Sequence, residues 1–252
     1  MSTLAEQAPV GLQSPEPLYK QVKDRIVDSL TQGEWKPGDM LPSEPNLASR
    51  YGVSISTVRA AIGHLVAGKV LSRKQGKGTF VSLHGHRRDI HQFFHVVRND
   101  GLRELPRSEL LSLRVARADD EVADLLRLPR TARRAEVYRI RNVLKVSGVP
   151  VVLSDVTIPC VLLPGLDEET IRNGGDTLYA VYQMHFGLNI VRTVEQLRAS
   201  KADAAAAKAF AIPSGDPVLE IHRLAYTFND VPVEARRIRV DTRNYFYHSE
   251  QG

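Results

Sequence analysis

The run Leu41-Pro42-Ser43-Glu44, Leu47-Ala48, Tyr51-Gly52-Val53-Ser54 and Thr57-Val58-Arg59 constrains this chain most. It reads as two short helices about a glycine turn. Ser43 is a good N-cap, and Pro45 is tolerated in the first turn behind it. Gly52 breaks the helix, and Ser54 caps the next one. The apolar face of that next helix is Val58, Ala61, Ile62 and Leu65 at helical spacing, and Gly68 is placed to close it. A preceding helix over 18–32 repeats Val22, Ile26 and Leu30 on one face, with Gly33 ending it and 36–39 forming a turn. After Gly68 the period shortens. Residues 70–73 and 79–82 read as two strands, and 74–78 as a basic, glycine-rich hairpin tip. Three helices and such a hairpin make a winged helix-turn-helix over 17–82, a shape that places a helix N-terminus in a DNA major groove.

Charge agrees with that reading. Residues 17–82 hold ten Lys/Arg against five acids, which accounts for the whole net charge of +5. A basic module beside a neutral remainder fits a polyanion partner. The 252 residues suffice for two ordinary domains, and 42% hydrophobic with 25% charged residues is a globular composition. No apolar stretch approaches the ~18 residues of a membrane span. Residues 1–16 read as a polar, disordered tail without a signal peptide. The single cysteine, Cys160, excludes an intrachain disulfide framework and fits a reducing cytosol, so a cytoplasmic location is expected.

Residues 83–101 read as a linker or connecting helix containing His84, His86, His91 and His95. From there to residue 250 strands and helices alternate. Strands are expected at 110–117, 136–145, 149–158, 189–199, 218–228 and 231–240, with helices at 120–126, 178–185 and 202–210. Hairpins turn at Ser147-Gly148 and Asn229-Asp230. They echo each other, with Arg141 ahead of Val149-Pro150-Val151 and Arg223 ahead of Val231-Pro232-Val233 at the same offset. The expected fold class is α+β.

Pro17-Leu18-Tyr19, Pro37-Gly38, Leu41 to Glu44, Leu47-Ala48, Gly52 to Ser54, Thr57 to Arg59 and Gly76 to Val81 together resemble the DNA-binding domain of GntR-family bacterial transcription regulators. Tyr138 to Arg141, Gly148 to Val151, Ile158-Pro159, Leu178-Tyr179, Val194-Glu195, Gly215 to Leu219 and Val231 to Glu234 resemble the UTRA effector domain of the HutC-type branch. That second resemblance covers 102–250 and implies a chorismate lyase-like antiparallel sheet with packed helices. It also implies a homodimer whose affinity for DNA is set by a metabolite.

The candidate DNA contacts are Ser43, Ser54, Ile55, Ser56, Thr57, Arg59, Arg73, Lys74, Gly76, Lys77 and Gly78. Hydroxyls at 54, 56 and 57 sit where a helix N-terminus meets phosphate. Arg59 reaches a guanine edge, while the hairpin cations serve the backbone or minor groove. Many relatives have arginine where this chain has Pro45 and Ile55. Two readings of Ile55 stand: contact with a thymine methyl, or packing on Tyr51 or a nearby loop.

Arg139 and Arg141 lie two apart on a strand and so share a face. The resemblance places them in the ligand pocket with Glu195, Glu234 and Tyr179. Ser154 stands where several relatives have glutamate, and Ser108 is a further anion contact. These residues imply an anionic or zwitterionic metabolite, since a guanidinium fork suits carboxylate or phosphate; an internal ion-pair network is the alternative.

No cofactor or metal is expected. His91 and His95, at i and i+4, suit a metal in type and spacing but lie in the expected linker. G-x-S-x-G, H-E-x-x-H and phosphate-loop motifs are missing, which argues against an enzyme. The expectation is a repressor that leaves a palindromic operator when a ligand binds. A constitutive DNA-binding dimer is the alternative.

Overall fold

The computed structural model describes residues 16–68, 70–82, 94–102 and 104–249. The chain divides into two units, Met1–Leu83 and His84–Gly252. Residues 1–15, most of the expected tail, lie outside the described residues. So do His84, His86 and His91 within the expected linker.

In the first unit, α1 (Leu18–Thr31), α2 (Glu44–Tyr51) and α3 (Ile55–Ala67) precede strands β1 (Leu71–Lys74) and β2 (Gly78–Val81). Val22, Ile26 and Leu30 of α1 are buried, as are Val58, Ala61, Ile62 and Leu65 of α3. Apolar residues at this spacing form one stripe, and its burial holds short helices that would be marginal alone. Ser43 Oγ accepts the Asn46 N–H at the start of α2, with Pro45 in the first turn. Ser54 Oγ accepts the Thr57 N–H at the start of α3. Between the helices Gly52 adopts φ +64°, a left-handed conformation that glycine enters without steric cost. β1 and β2 pair antiparallel from Leu71↔Val81 to Lys74↔Gly78. Met40 bridges to Phe80, which widens the wing.

The second unit is built on a six-stranded antiparallel sheet in the order β4-β5-β6-β9-β8-β7. Its strands are β4 (Arg107–Arg117), β5 (Glu136–Val146), β6 (Val149–Pro159), β7 (Arg192–Lys201), β8 (Pro217–Tyr226) and β9 (Pro232–Val240). Helix α5 (Glu168–Asn173) and helix α6 (Leu178–Phe186) belong to one face. There Ile140, Val156 and Ile158 pack on Tyr179, Val181 and Tyr182. The opposite face carries α4 (Asp120–Leu125), through Val122 on Val137, and α7 (Ala204–Phe210), through Phe210 on Leu153. Burying a valine, leucine or phenylalanine of this kind contributes roughly 1.5–3 kcal/mol.

Sequence periodicity missed two short strands. β3 (Val96–Arg98) lies inside the expected linker and pairs antiparallel with β10 (Tyr245–Tyr247) over three residues. Three residues are too few to show a period. The second expected hairpin also differs. β8 ends at Tyr226, and residues 227–231 make a longer connection in which Asn229 and Asp230 are left-handed.

Candidate functional site

The first unit presents the N-terminus of α3 to solvent. Ser54 Oγ lies 2.8 Å from both Ser56 Oγ and Thr57 Oγ1, so the three hydroxyls form one cluster around the first-turn N–H groups. Ile55 beside them is 42% exposed. Arg59, one turn later, has a side chain 63% exposed. Its Nε donates to Glu44 Oε2 at 2.9 Å, and Arg73 Nη2 on the wing donates to Glu44 Oε1 at 3.1 Å. One carboxylate at the start of α2 therefore holds an arginine from α3 and another from β1. Glu44 belongs to the sequence motif, but a motif gives no partner 15 and 29 residues away.

Lys74 lies over the Phe80 ring at 4.5 Å, and Lys77 is exposed at the hairpin turn. Gly76 is left-handed at φ +70°. A Cβ on Gly78, itself at φ +118°, would meet Met40 Sδ at 3.3 Å. The glycines thus shape the wing, and Ser43 serves as the cap of α2.

The second unit contains a cavity of about 80 Å³ on the α6 face of the sheet. Ser108, Ser154 and Tyr179 line it, as do Arg223 and Arg236. The two arginines are directly opposite each other on β8 and β9. Arg236 donates Nε and Nη2 to fully buried Glu234 at 2.9 and 2.8 Å. Tyr179 and Tyr182 donate their hydroxyls to the same carboxylate at 3.1 and 2.9 Å. Burial and the Glu234 charge push the Tyr179 phenol up to about 12 and that of Tyr182 well above its usual value. Burial disfavours the charge on Arg236, but Glu234 beside it more than offsets this and holds the guanidinium above its ordinary range. Arg223 Nε donates to Glu195 at 2.5 Å, and Tyr247 donates its hydroxyl to the same residue.

Arg139 and Arg141 are not in this cavity. They project from the opposite face of the sheet, where with Arg114, Asp155, Arg198 and Arg237 they line a larger, open cavity of about 910 Å³. Arg139 pairs with Asp119 at 2.7 Å and with Thr157 at 3.2 Å. Arg141 pairs with Asp155 at 2.6 Å, and Asp155 also accepts from nearly buried Arg239 at 2.7 Å. Of the expected effector residues, then, Ser108, Ser154 and Tyr179 line the smaller cavity with Glu195 and Glu234 directly behind it, and the two arginines line the larger one.

The reason is register. Both hairpins carry a bulge residue in their Val-Pro-Val segment, Val151 in the first and Val233 in the second. The partner of Arg141 is Asp155, four residues past Val151; the partner of Arg223 is Arg236, three past Val233. A one-residue offset turns a strand's side chains to the other face. The echo between Arg141 and Arg223 is thus real in sequence and opposite in space. Arg236, two residues after Glu234, was legible only as a same-face neighbour of that acid.

The His95 ring lies against Tyr247 at a 50° tilt, with ring centroids 5.2 Å apart. Among the described residues no group of three or more His, Cys, Asp or Glu side chains could hold a metal ion. Cys160 is a free thiol that burial pushes up. No described helix is long and apolar enough to cross a membrane.

An exposed, capped reading helix with a basic wing, joined to a cavity-bearing antiparallel sheet, defines a DNA-binding regulator with a sensor domain. Comparison with known proteins agrees. Residues 18–81 match the model for bacterial regulatory proteins of the gntR family, and residues 102–245 match the UTRA domain. The chain belongs to the GntR family of transcription regulators, in its HutC-type, UTRA-bearing branch. It is similar to the HTH-type transcriptional repressor NagR of Bacillus subtilis (strain 168), with 28% identity over 95% of this chain and 97% of that one. It shares 34% identity with the mannosyl-D-glycerate transport/metabolism system repressor MngR of Escherichia coli (strain K12), over 63% of this chain and 65% of that one. Among solved structures it resembles the ligand-binding domain of a GntR-family regulator from Bordetella bronchiseptica. There the identity is 30%, the TM-score 0.58, and the match covers 63% of this chain and 97% of that one.

Proposed function

We propose that this regulator is a cytoplasmic homodimeric repressor that binds a palindromic operator and leaves it when a small metabolite fills the cavity beside α6. The observation that carries the DNA half is the exposed N-terminus of α3, where Ser54, Ser56, Thr57 and Arg59 stand together and Glu44 ties Arg59 to Arg73 of the wing. Such a helix end offers N–H groups and partial positive charge to phosphate, and an arginine fork to guanine. A two-fold dimer reads two half-sites, which is why the operator is palindromic. The repressor names of the similar proteins support the direction of control.

The effector half rests on the cavity. Phe94, His95 and Val96 form part of its wall and follow directly on the segment that joins the two units in sequence. A ligand that favours one arrangement of this wall shifts the regulator only through a difference in affinity between its two states. Footprinting on DNA around the gene, gel shifts, and sedimentation of the complex test the proposal. Protection of two symmetric half-sites by a dimer is the expected result. A monomer on an asymmetric site overturns it.

A constitutive DNA-binding dimer is the second reading. It is favoured by the pairing of Arg223 and Arg236 with Glu195 and Glu234, which leaves neither arginine calling for an anionic ligand. A thermal-shift screen of metabolites separates the two, because a true ligand stabilises with the logarithm of its concentration.

A further inference from the structure

The cavity beside α6 contains two buried polar atoms that the folded chain leaves unsatisfied. Asn142 Oδ1 and Ser154 Oγ have no hydrogen-bond partner among the described residues. Their residues are 3% and 1% exposed, face each other across β5 and β6, and both line the cavity. The Asn142 amide donates to Ser108 Oγ at 2.8 Å, so the group left over on Asn142 is an acceptor. Native proteins rarely bury polar atoms without a partner, and each such atom calls for an occupant that supplies one.

Three further observations limit that occupant. Arg223 and Arg236 each have a carboxylate, Glu195 and Glu234, so these buried charges are matched before anything enters. Besides the tyrosines, the other titratable groups at the wall are exposed Asp176 and half-buried His95. The remaining wall includes Leu144, Val152, Ile221 and Ile238. The volume of about 80 Å³ is about five to eight times the roughly 10–15 Å³ that one water needs, which suits a small molecule. A phosphorylated sugar would bring uncompensated negative charge and set its hydroxyls against aliphatic walls.

We propose that the cavity takes a small zwitterion, an α-amino acid with a compact apolar side chain. Its ammonium donates to Asn142 Oδ1 and Ser154 Oγ. Its carboxylate accepts from the guanidinium pair, and its side chain packs on Leu144, Val152, Ile221 and Ile238. The molecule as a whole adds no net charge to the matched Arg–Glu pairs, and its ammonium also suits a wall that includes Asp176. This assignment rests on the reading of the cavity as the effector seat.

The test uses the full chain with L-valine, with 2-hydroxyisovalerate, which lacks the ammonium, and with glucosamine 6-phosphate. Melting temperature and operator retention are read for each. L-Valine is expected to stabilise the protein and weaken operator binding, with the hydroxy acid about tenfold weaker and the sugar phosphate inert. Ser154→Ala should cut valine affinity about tenfold while leaving the unliganded melting temperature unchanged or higher, because the hydroxyl it removes is unsatisfied. Binding of the sugar phosphate with loss in Ser154→Ala overturns the amino-acid assignment but keeps the effector reading. Failure of L-valine to bind overturns the assignment as well. If in addition the cavity-filling Ser154→Leu leaves operator binding and the response of the target genes unaltered, the effector reading falls too.

Discussion

On the proposed function, single side chains divide the labour of DNA recognition, with Arg59 reading a base and Lys77 meeting a phosphate. Arg59→Ala should therefore lose about 1–3 kcal/mol of operator binding and relax base preference at one position. Lys77→Ala should weaken binding to all sequences alike and lower the salt slope by about 1. Competition gel shifts at several salt concentrations separate the two effects. Glu44, held by Arg59 and Arg73, is acidic where DNA is expected to lie. On the proposed function it aims two arginines and resists indiscriminate binding. Glu44→Gln should raise affinity for random DNA and narrow the specific-to-nonspecific ratio about tenfold, as measured by the same competitions. On the other unit, burial alone would raise the Asp155 carboxyl, yet Arg141 and Arg239 hold it below its ordinary value. A depressed carboxylate stabilises fully above its unfolded value, about 3.9, and that contribution is lost as pH falls through the lowered folded value. Asp155→Asn should cost about 1–3 kcal/mol at neutral pH, with the gap to the parent protein closing below about pH 4 in urea titrations.

At the scale of elements, caps and periods were legible and facing was not. Ser43, Ser54 and the Val58/Ala61/Ile62/Leu65 stripe specify α2 and α3 because capping and amphipathic burial are local properties. The long strands were readable from alternation and from the Ser147-Gly148 turn, whose two residues adopt the left-handed conformation of a tight hairpin. The cavity was half legible. Five of the seven expected effector residues meet there or directly behind it, through Glu195 and Glu234. Arg139 and Arg141 line the larger cavity on the other face instead, because the face a side chain takes depends on pairing register between distant strands. A local cap also bears on the site: Thr177 Oγ1 accepts the Ala180 N–H at 3.1 Å and starts α6, the helix that supplies Tyr179. Thr177→Ala should destabilise the second unit by about 1 kcal/mol, seen as a lower melting temperature with unchanged DNA affinity.

For the whole molecule, the basic charge sits in the first unit and, on the proposed function, the chemistry of sensing sits in the second. On the proposed mechanism the signal passes through Val96–Arg98, the first described strand after the segment that joins the two units in sequence. Removing its partner by truncation after residue 243 should abolish ligand response while leaving operator binding within about twofold, a difference below ~0.5 kcal/mol, checked by gel shifts with and without ligand. The ladder between β3 and β10 is three residues long. Short ladders open at small free-energy cost. That cost then acts as a dose setting: the nearer the ladder stands to opening unaided, the less metabolite is needed to induce the genes, and the more transcription leaks when none is present.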